Sequence, residues 1–329
     1  MHTQAVTRRL LPLVVLLVLS IVSGICRAQE PVFPQIDLPK PTAEQMFLFR
    51  EANRFRRLMR LPPFILNLKL CASAQAHCRY SYENPGESHY ETRDKKEFRG
   101  ATPTDRAAHW GYAEGVSEDM NFGGLIAEAV TGLIEAPYHR VLFMQPGSPD
   151  FGCGYFEGIT TLDFGSTERK EWVVYPAQNQ RDVPLIFTGN EVPDPLRLHG
   201  AKPPAGYVVI LVITGETEKF TVVSTSLTTK NGVSVPRYLN TPENDEYLSS
   251  GVFLVPHKPL TPLTEYTASV TFRRSDAVET SVTWSFKTGK ETALPPIGIK
   301  SPRKATLPIS ARSKKSAARR TKPSSQNSR

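Results

Sequence analysis

Cysteine is scarce in this chain: four in 329 residues, at 26, 71, 78 and 153, too few for a disulfide-dense miniprotein. Long apolar runs are scarcer still. Only Leu10–Ile25 is continuous, which excludes a polytopic membrane protein. Acidic residues are missing from the first 28 positions and reduced to Glu291 alone from 291 onward, against ten Lys and Arg there. The ends therefore carry +3 and +9, and the body between them is mildly acidic although the whole chain is +8. A basic nucleic-acid-binding fold is not implied, and no nucleic-acid partner is expected. What remains is ordinary for globular protein: 40% hydrophobic and 22% charged residues, enough for two domains with real cores.

Arg8-Arg9, the apolar run and Cys26-Arg27-Ala28 read as an export signal, with Ala28 at the cleavage position. As a helix the run rises about 24 Å, short of a hydrocarbon core of roughly 30 Å. The expected product is secreted, either extracellular or periplasmic. Cys71 and Cys78 lie seven apart on a helical segment, about 10.5 Å along one face, beyond the roughly 6.8 Å that a disulfide spans. One of them could instead pair with Cys153, leaving an odd thiol, but the simplest reading is three small buried side chains.

A Pro-rich leader occupies 29–41. Thr42 with Gln45 makes a capping box, and Leu48, Ala52, Phe55 and Met59 follow on one helical face. Asn67 caps a second helix that buries Cys71, Ala74 and Cys78. Residues 83–100 read as a loop, Thr102-Pro103 opens a short helix, and 125–136 forms a fourth helix ended by Pro137. Strands are expected at 151–156 and 172–176, closing an α+β domain over 42–176. From 183 to 289 the texture is β-branched and alternating, with an Asn231-Gly232 turn, and reads as an all-β Ig- or fibronectin-like sandwich. The linker is expected at 177–182, with the two halves separately packed. The tail, 290–329, is rich in Ser, Pro and cations and reads as disordered.

The ordered segments Asn53-Arg54-Phe55-Arg56 with Leu61-Pro62-Pro63, Ala74-Gln75-Ala76-His77, Ser88-His89, Gly100 to Arg106 with Gly111-Tyr112, Ala136-Pro137-Tyr138-His139-Arg140 and Phe151-Gly152-Cys153-Gly154 resemble the bacterial branch of the CAP superfamily (cysteine-rich secretory, antigen 5 and pathogenesis-related class 1 proteins). The resemblance implies an α-β-α sandwich and a cleft with two histidines and two glutamates, which fall here on His89, Glu118, Glu135 and His139. Two departures stand out: Ser117-Glu118-Asp119 replaces Gly-Glu-Asn, and Gly132 replaces a tryptophan. The all-β half is similar to the Ig-like modules that often follow bacterial CAP domains, through Pro259-Leu260-Thr261-Pro262, Tyr266 and Trp284-Ser285-Phe286.

Four such side chains in one cleft have three chemical uses. His89 and His139 with a carboxylate can hold zinc. A Glu–His pair can act as a general base, giving a metal-dependent or Glu/His-assisted hydrolase. A polar network can also shape a groove for a ligand, a lipid or a peptide. The expectation is a ligand- or metal-binding protein of the cell envelope or the exterior. Hydrolysis with the same four residues is the alternative, and a structural adhesion protein with a vestigial cleft is the third reading. The basic tail suits a salt-sensitive contact with anionic envelope polymers.

Overall fold

The computed structural model describes residues 37–166, 171–214, 220–274 and 277–291. The expected export signal, most of the Pro-rich leader and the basic tail beyond 291 lie outside these residues.

Thr42 opens α1 (Ala43–Leu58): its hydroxyl accepts from Gln45 N at 3.2 Å, and the Gln45 side chain accepts from Thr42 N at 2.9 Å. After β1 (Ile65–Leu66), the Asn67 side chain accepts from Lys69 N and starts α2 (Leu68–Glu83). A second capping box, Thr102 with Asp105, opens α3 (Pro103–His109). Then come β2 (Val116–Phe122) and α4 (Ile126–Glu135). Pro137 does more than end that helix. Its fixed φ also suits a first helical position, so it starts α5 (Pro137–Phe143). β3 (Asp150–Phe156) and β4 (Ile159–Gly165) form a hairpin, and the sheet order is β1-β3-β4-β2.

Helices cover both faces of this sheet. On one face Gly152 and Gly154 let α2 lie directly on β3: a Cβ on Gly152 would fall 2.2 Å from the Leu70 carbonyl carbon. On the other, Phe151 and Phe164 pack with Phe64 and with Phe143 of α5. Arg56 is fully buried and donates to the carbonyls of Pro62, Phe143, Gln145 and Gly147, so one guanidinium pins two loops. Burial pulls its pKa down to about 10.

The remaining strands are β5 (Trp172–Tyr175), β6 (Gln180–Val183), β7 (Ile186–Phe187), β8 (Ala205–Gly206), β9 (Val209–Ile213), β10 (Thr221–Thr229), β11 (Arg237–Asn240), β12 (Gly251–Pro256), β13 (Glu265–Arg273) and β14 (Glu279–Thr288). Two four-stranded sheets result, β10-β13-β14-β6 and β11-β12-β9-β5, with β7-β8 as a small ribbon. The alternation seen in sequence buries Tyr266, Ala268, Val270 and Phe272 on β13 and Val282, Trp284 and Phe286 on β14. Gly232 supplies the turn with φ +79°. The Tyr266 hydroxyl accepts from Thr261 N at 2.8 Å, staking the loop before β13.

Two expectations about organisation fail. Trp172–Tyr175 does not close the first domain; it pairs with β9 as an edge strand of the second. Nor are the halves separately packed. One apolar cluster runs from Leu48, Phe55 and Phe143 through Tyr175, Tyr207 and Val209 to Phe253 and Trp284, and the described residues from Leu38 onward form one compact unit. The expected linker at 177–182 itself holds the start of β6, and β5 and β6 join different sheets of the β region. Among the described residues no helix is long and apolar enough to cross a membrane.

The contact of α2 with β3 generates a direct test. Gly152→Ala should destabilise the fold by at least about 3 kcal/mol, the upper end for overpacking, because backbone rather than a pliable side chain stands in the way. Urea unfolding measures it; a loss under about 1 kcal/mol would contradict the contact.

Candidate functional site

Glu118 lies on β2 with its side chain 1% exposed. Its Oε1 accepts from His89 Nδ1 at 3.0 Å and sits 3.7 Å from His77 Nε2, while Oε2 is held by Arg106. Arg106 is fully buried on α3 and also donates to the His89 carbonyl at 3.0 Å. One guanidinium thus fixes both the backbone of His89 and the carboxylate that orients its ring. His77, inaccessible on α2, bridges Glu91 at 2.9 Å and the Ser88 carbonyl at 2.9 Å, and Glu91 in turn accepts from Arg99 N and Gly100 N. The polar loop read at 83–100 is therefore tied down from beneath. His89 alone reaches the surface, its side chain 39% exposed.

Charge inside this cluster is uneven. Burial works against an ionised Glu118, but the His89 hydrogen bond and the charges of Arg106, His77 and His89 outweigh it and hold the carboxyl below its usual range. Directly across the strand pair, Asp163 on β4 is fully buried. Burial first, then the charge of Glu118, pushes its pKa well above the ordinary value.

His139 belongs to a different arrangement. On α5, its Nδ1 bonds Glu191 Oε1 at 2.6 Å, and Glu191 Oε2 accepts from Tyr138 N at 2.7 Å. Glu191 comes from the β region and is 3% exposed. The neighbouring Tyr138 hydroxyl donates to Asp245 at 2.5 Å and accepts from Arg197 at 2.7 Å. Arg140, next along, donates to Val208 O and lies over the Tyr207 ring at 4.6 Å. The Pro-Tyr-His-Arg turn is thus the joint between the two halves of the molecule. Burial opposes charge on His139, but the Glu191 hydrogen bond and the charges of Asp119 and Glu191 raise its pKa to about 9.

Of the four expected site residues, His89 and Glu118 are in direct contact, and His139 is bonded to a carboxylate from outside the set. His139 takes Glu191 in place of Glu135, because Pro137 starts a new helix and cancels the four-residue spacing that would have paired Glu135 with it. Glu135 closes α4 and lines a small cavity with Pro184, Phe187, Asn190 and Tyr207. Alternation along β2 separates the two histidines further: Glu118 turns to His89 and Arg106, while the next residue, Asp119, turns to the opposite face and His139. Zinc held by His89 and His139 does not fit either, since among the described residues no three His, Cys, Asp or Glu side chains converge on one metal position. Of the residues the sequence reading left out, Arg106 stood in a quoted motif, but nothing in the spacing signalled Glu191.

Residues 49–163 match the cysteine-rich secretory protein family, CAP. This stretch is a CAP domain. Solved structures similar to the chain include an extracellular protein containing an SCP domain from Bacillus anthracis, at 18% identity and a TM-score of 0.32, covering 38% of this chain and 40% of that one. This chain thus spans less than half the length of that protein. An outer surface protein from Borrelia burgdorferi matches at 18% identity and 0.33, covering 39% and 96%, and CopC from Methylosinus trichosporium at 14% and 0.24, covering 37% and 94%. No curated protein matches.

The joint at the edge of the CAP domain titrates. With a folded pKa of about 9 against an ordinary 6.5, protonated His139 contributes its full stabilisation below pH 6.5 and loses it as pH rises through 9. The stability gap between wild type and His139→Gln should therefore shrink between pH 6.5 and 9.5 in urea unfolding. A gap that stays constant over that window would refute the ion pair.

Proposed function

We propose that this is an exported CAP-domain protein that binds a hydroxyl-bearing ligand of the cell envelope through His89. The Arg8-Arg9 pair and the short apolar run after it support export. The observation that carries the binding reading is the half-exposed His89 ring, fixed from behind by a buried, arginine-held carboxylate. Glu118 accepts the hydrogen bond from Nδ1–H, which leaves Nε2 of the neutral ring as the acceptor and suits a ligand that offers a hydroxyl or amide donor. Every other polar member of the cluster is buried, so His89 is where an outside molecule meets it. The β region fits an Ig-like module, and the Tyr266 contact with Thr261 is the feature in its favour. It serves as a platform locked to the CAP domain.

A second reading has one specific support. A histidine oriented by a carboxylate is also the arrangement of a general base, so water activation at Nε2 would make the same pair hydrolytic.

Sedimentation with purified peptidoglycan sacculi tests the first reading at 1 M salt, where a Debye length of about 3 Å silences the basic tail. Wild type should co-sediment, and His89→Ala should bind roughly five- to tenfold more weakly, the worth of one hydrogen bond. Equal binding by both proteins would sink the reading. Release of soluble fragments by wild type and not by His89→Ala would replace binding with hydrolysis.

A further inference from the structure

Three thiols are buried in the CAP domain outside the site: Cys71, Cys78 and Cys153, all unbonded in this structure. Cys78 has its own partner, donating to the Thr161 hydroxyl at 3.3 Å. Cys71 and Cys153 are placed differently. The Gln45 side-chain amide donates to the carbonyls of both, at 3.2 and 2.8 Å, so one amide ties α2 to β3 at the level of the two residues. Cys153 Sγ donates back to Gln45 O at 3.2 Å. The backbones also touch there: a Cβ on Gly152 would stand 2.6 Å from Cys71 N. The two thiols are near enough that each alters the acidity of the other.

We propose that Cys71 and Cys153 are an oxidation site and form a disulfide that staples α2 to β3 when the protein folds against a disulfide donor. Only the place where this happens in the cell rests on the export reading; the pairing itself rests on the geometry. The chemistry is thiol–disulfide exchange. One protein thiolate attacks a sulfur of the donor disulfide, giving a mixed disulfide and releasing one donor thiol. The second cysteine then attacks the protein-bound sulfur and releases the other. The two protein thiol protons end on the two donor thiols, and two electrons pass from protein to donor. Because both residues are buried in the fold, exchange precedes the closing of α2 onto β3. Cys78 is left as the free thiol, since it is seven residues along the same helix from Cys71.

The test uses the full chain refolded in glutathione disulfide and glutathione, then denatured, alkylated and mapped by mass spectrometry. The expected map joins Cys71 to Cys153 and finds Cys78 alkylated. The oxidised protein should melt about 5 °C above the same protein in reductant. That difference should persist in Cys78→Ser and vanish in Cys71→Ser and in Cys153→Ser. Three alkylated thiols after refolding in disulfide, or a bridge that includes Cys78, would overturn the pairing. The wild-type map decides this even if a serine variant fails to fold. A pair that forms in buffer while protein recovered from the envelope carries three thiols would overturn the proposal for the cell and place the failure with export.

Discussion

The buried pair of Arg106 and Glu118 is the constraint on which the CAP half depends. Both side chains are out of water, so each charge has to be met within the protein. Arg106 meets it with a carboxylate and a backbone carbonyl. Glu118 meets it with a guanidinium and the imidazole of His89. Removing either partner leaves the other as an uncompensated buried charge, at a cost of about 3–5 kcal/mol. The same arrangement leaves one imidazole edge facing solvent with its tautomer set. Structure and presentation of the solvent-facing imidazole are thus one set of contacts.

A second buried arginine joins the halves. Arg140 reaches across from α5 to Val208 O and to the faces of Tyr207 and Tyr175, and its neighbours Tyr138 and His139 bond Asp245 and Glu191. The side chains of the Tyr-His-Arg turn spend their polar atoms on the β region, and Arg140 also on the carbonyls of Ile134 and Glu135 at the end of α4. That use gives His139 its own carboxylate, Glu191, apart from the Glu118 that holds His89. Within an otherwise apolar boundary these polar contacts fix the angle at which the halves meet, because each is satisfied in one arrangement only.

Much of this fold is legible in the sequence where local chemistry decides it. The capping boxes at Thr42 and Thr102, the Asn67 cap and the Asn231-Gly232 turn each form as the residue types dictate, and strict alternation marks β13 and β14. The strand β2 is another matter. Val116-Ser-Glu-Asp-Met-Asn-Phe carries polar residues on both faces, because one face serves His89 and the other His139, and so it shows no half-buried pattern. The candidate site was legible in part for a related reason. His89 and Glu118 stood in segments whose order identified them, whereas Glu191 lies in the β region and reaches His139 only through tertiary packing. Pro137 misled the reading of Glu135 because the same residue that ends one helix begins the next.

The central claim is that His89 and His139 belong to two independent sites, one set by Glu118 and the other by Glu191. Long-range proton–nitrogen NMR of the imidazole rings tests it most directly. Glu118→Gln should shift the ring nitrogens of His89 and leave those of His139 in place, and Glu191→Gln should do the reverse. If either substitution moves both histidines together, they share one cleft and the account is wrong.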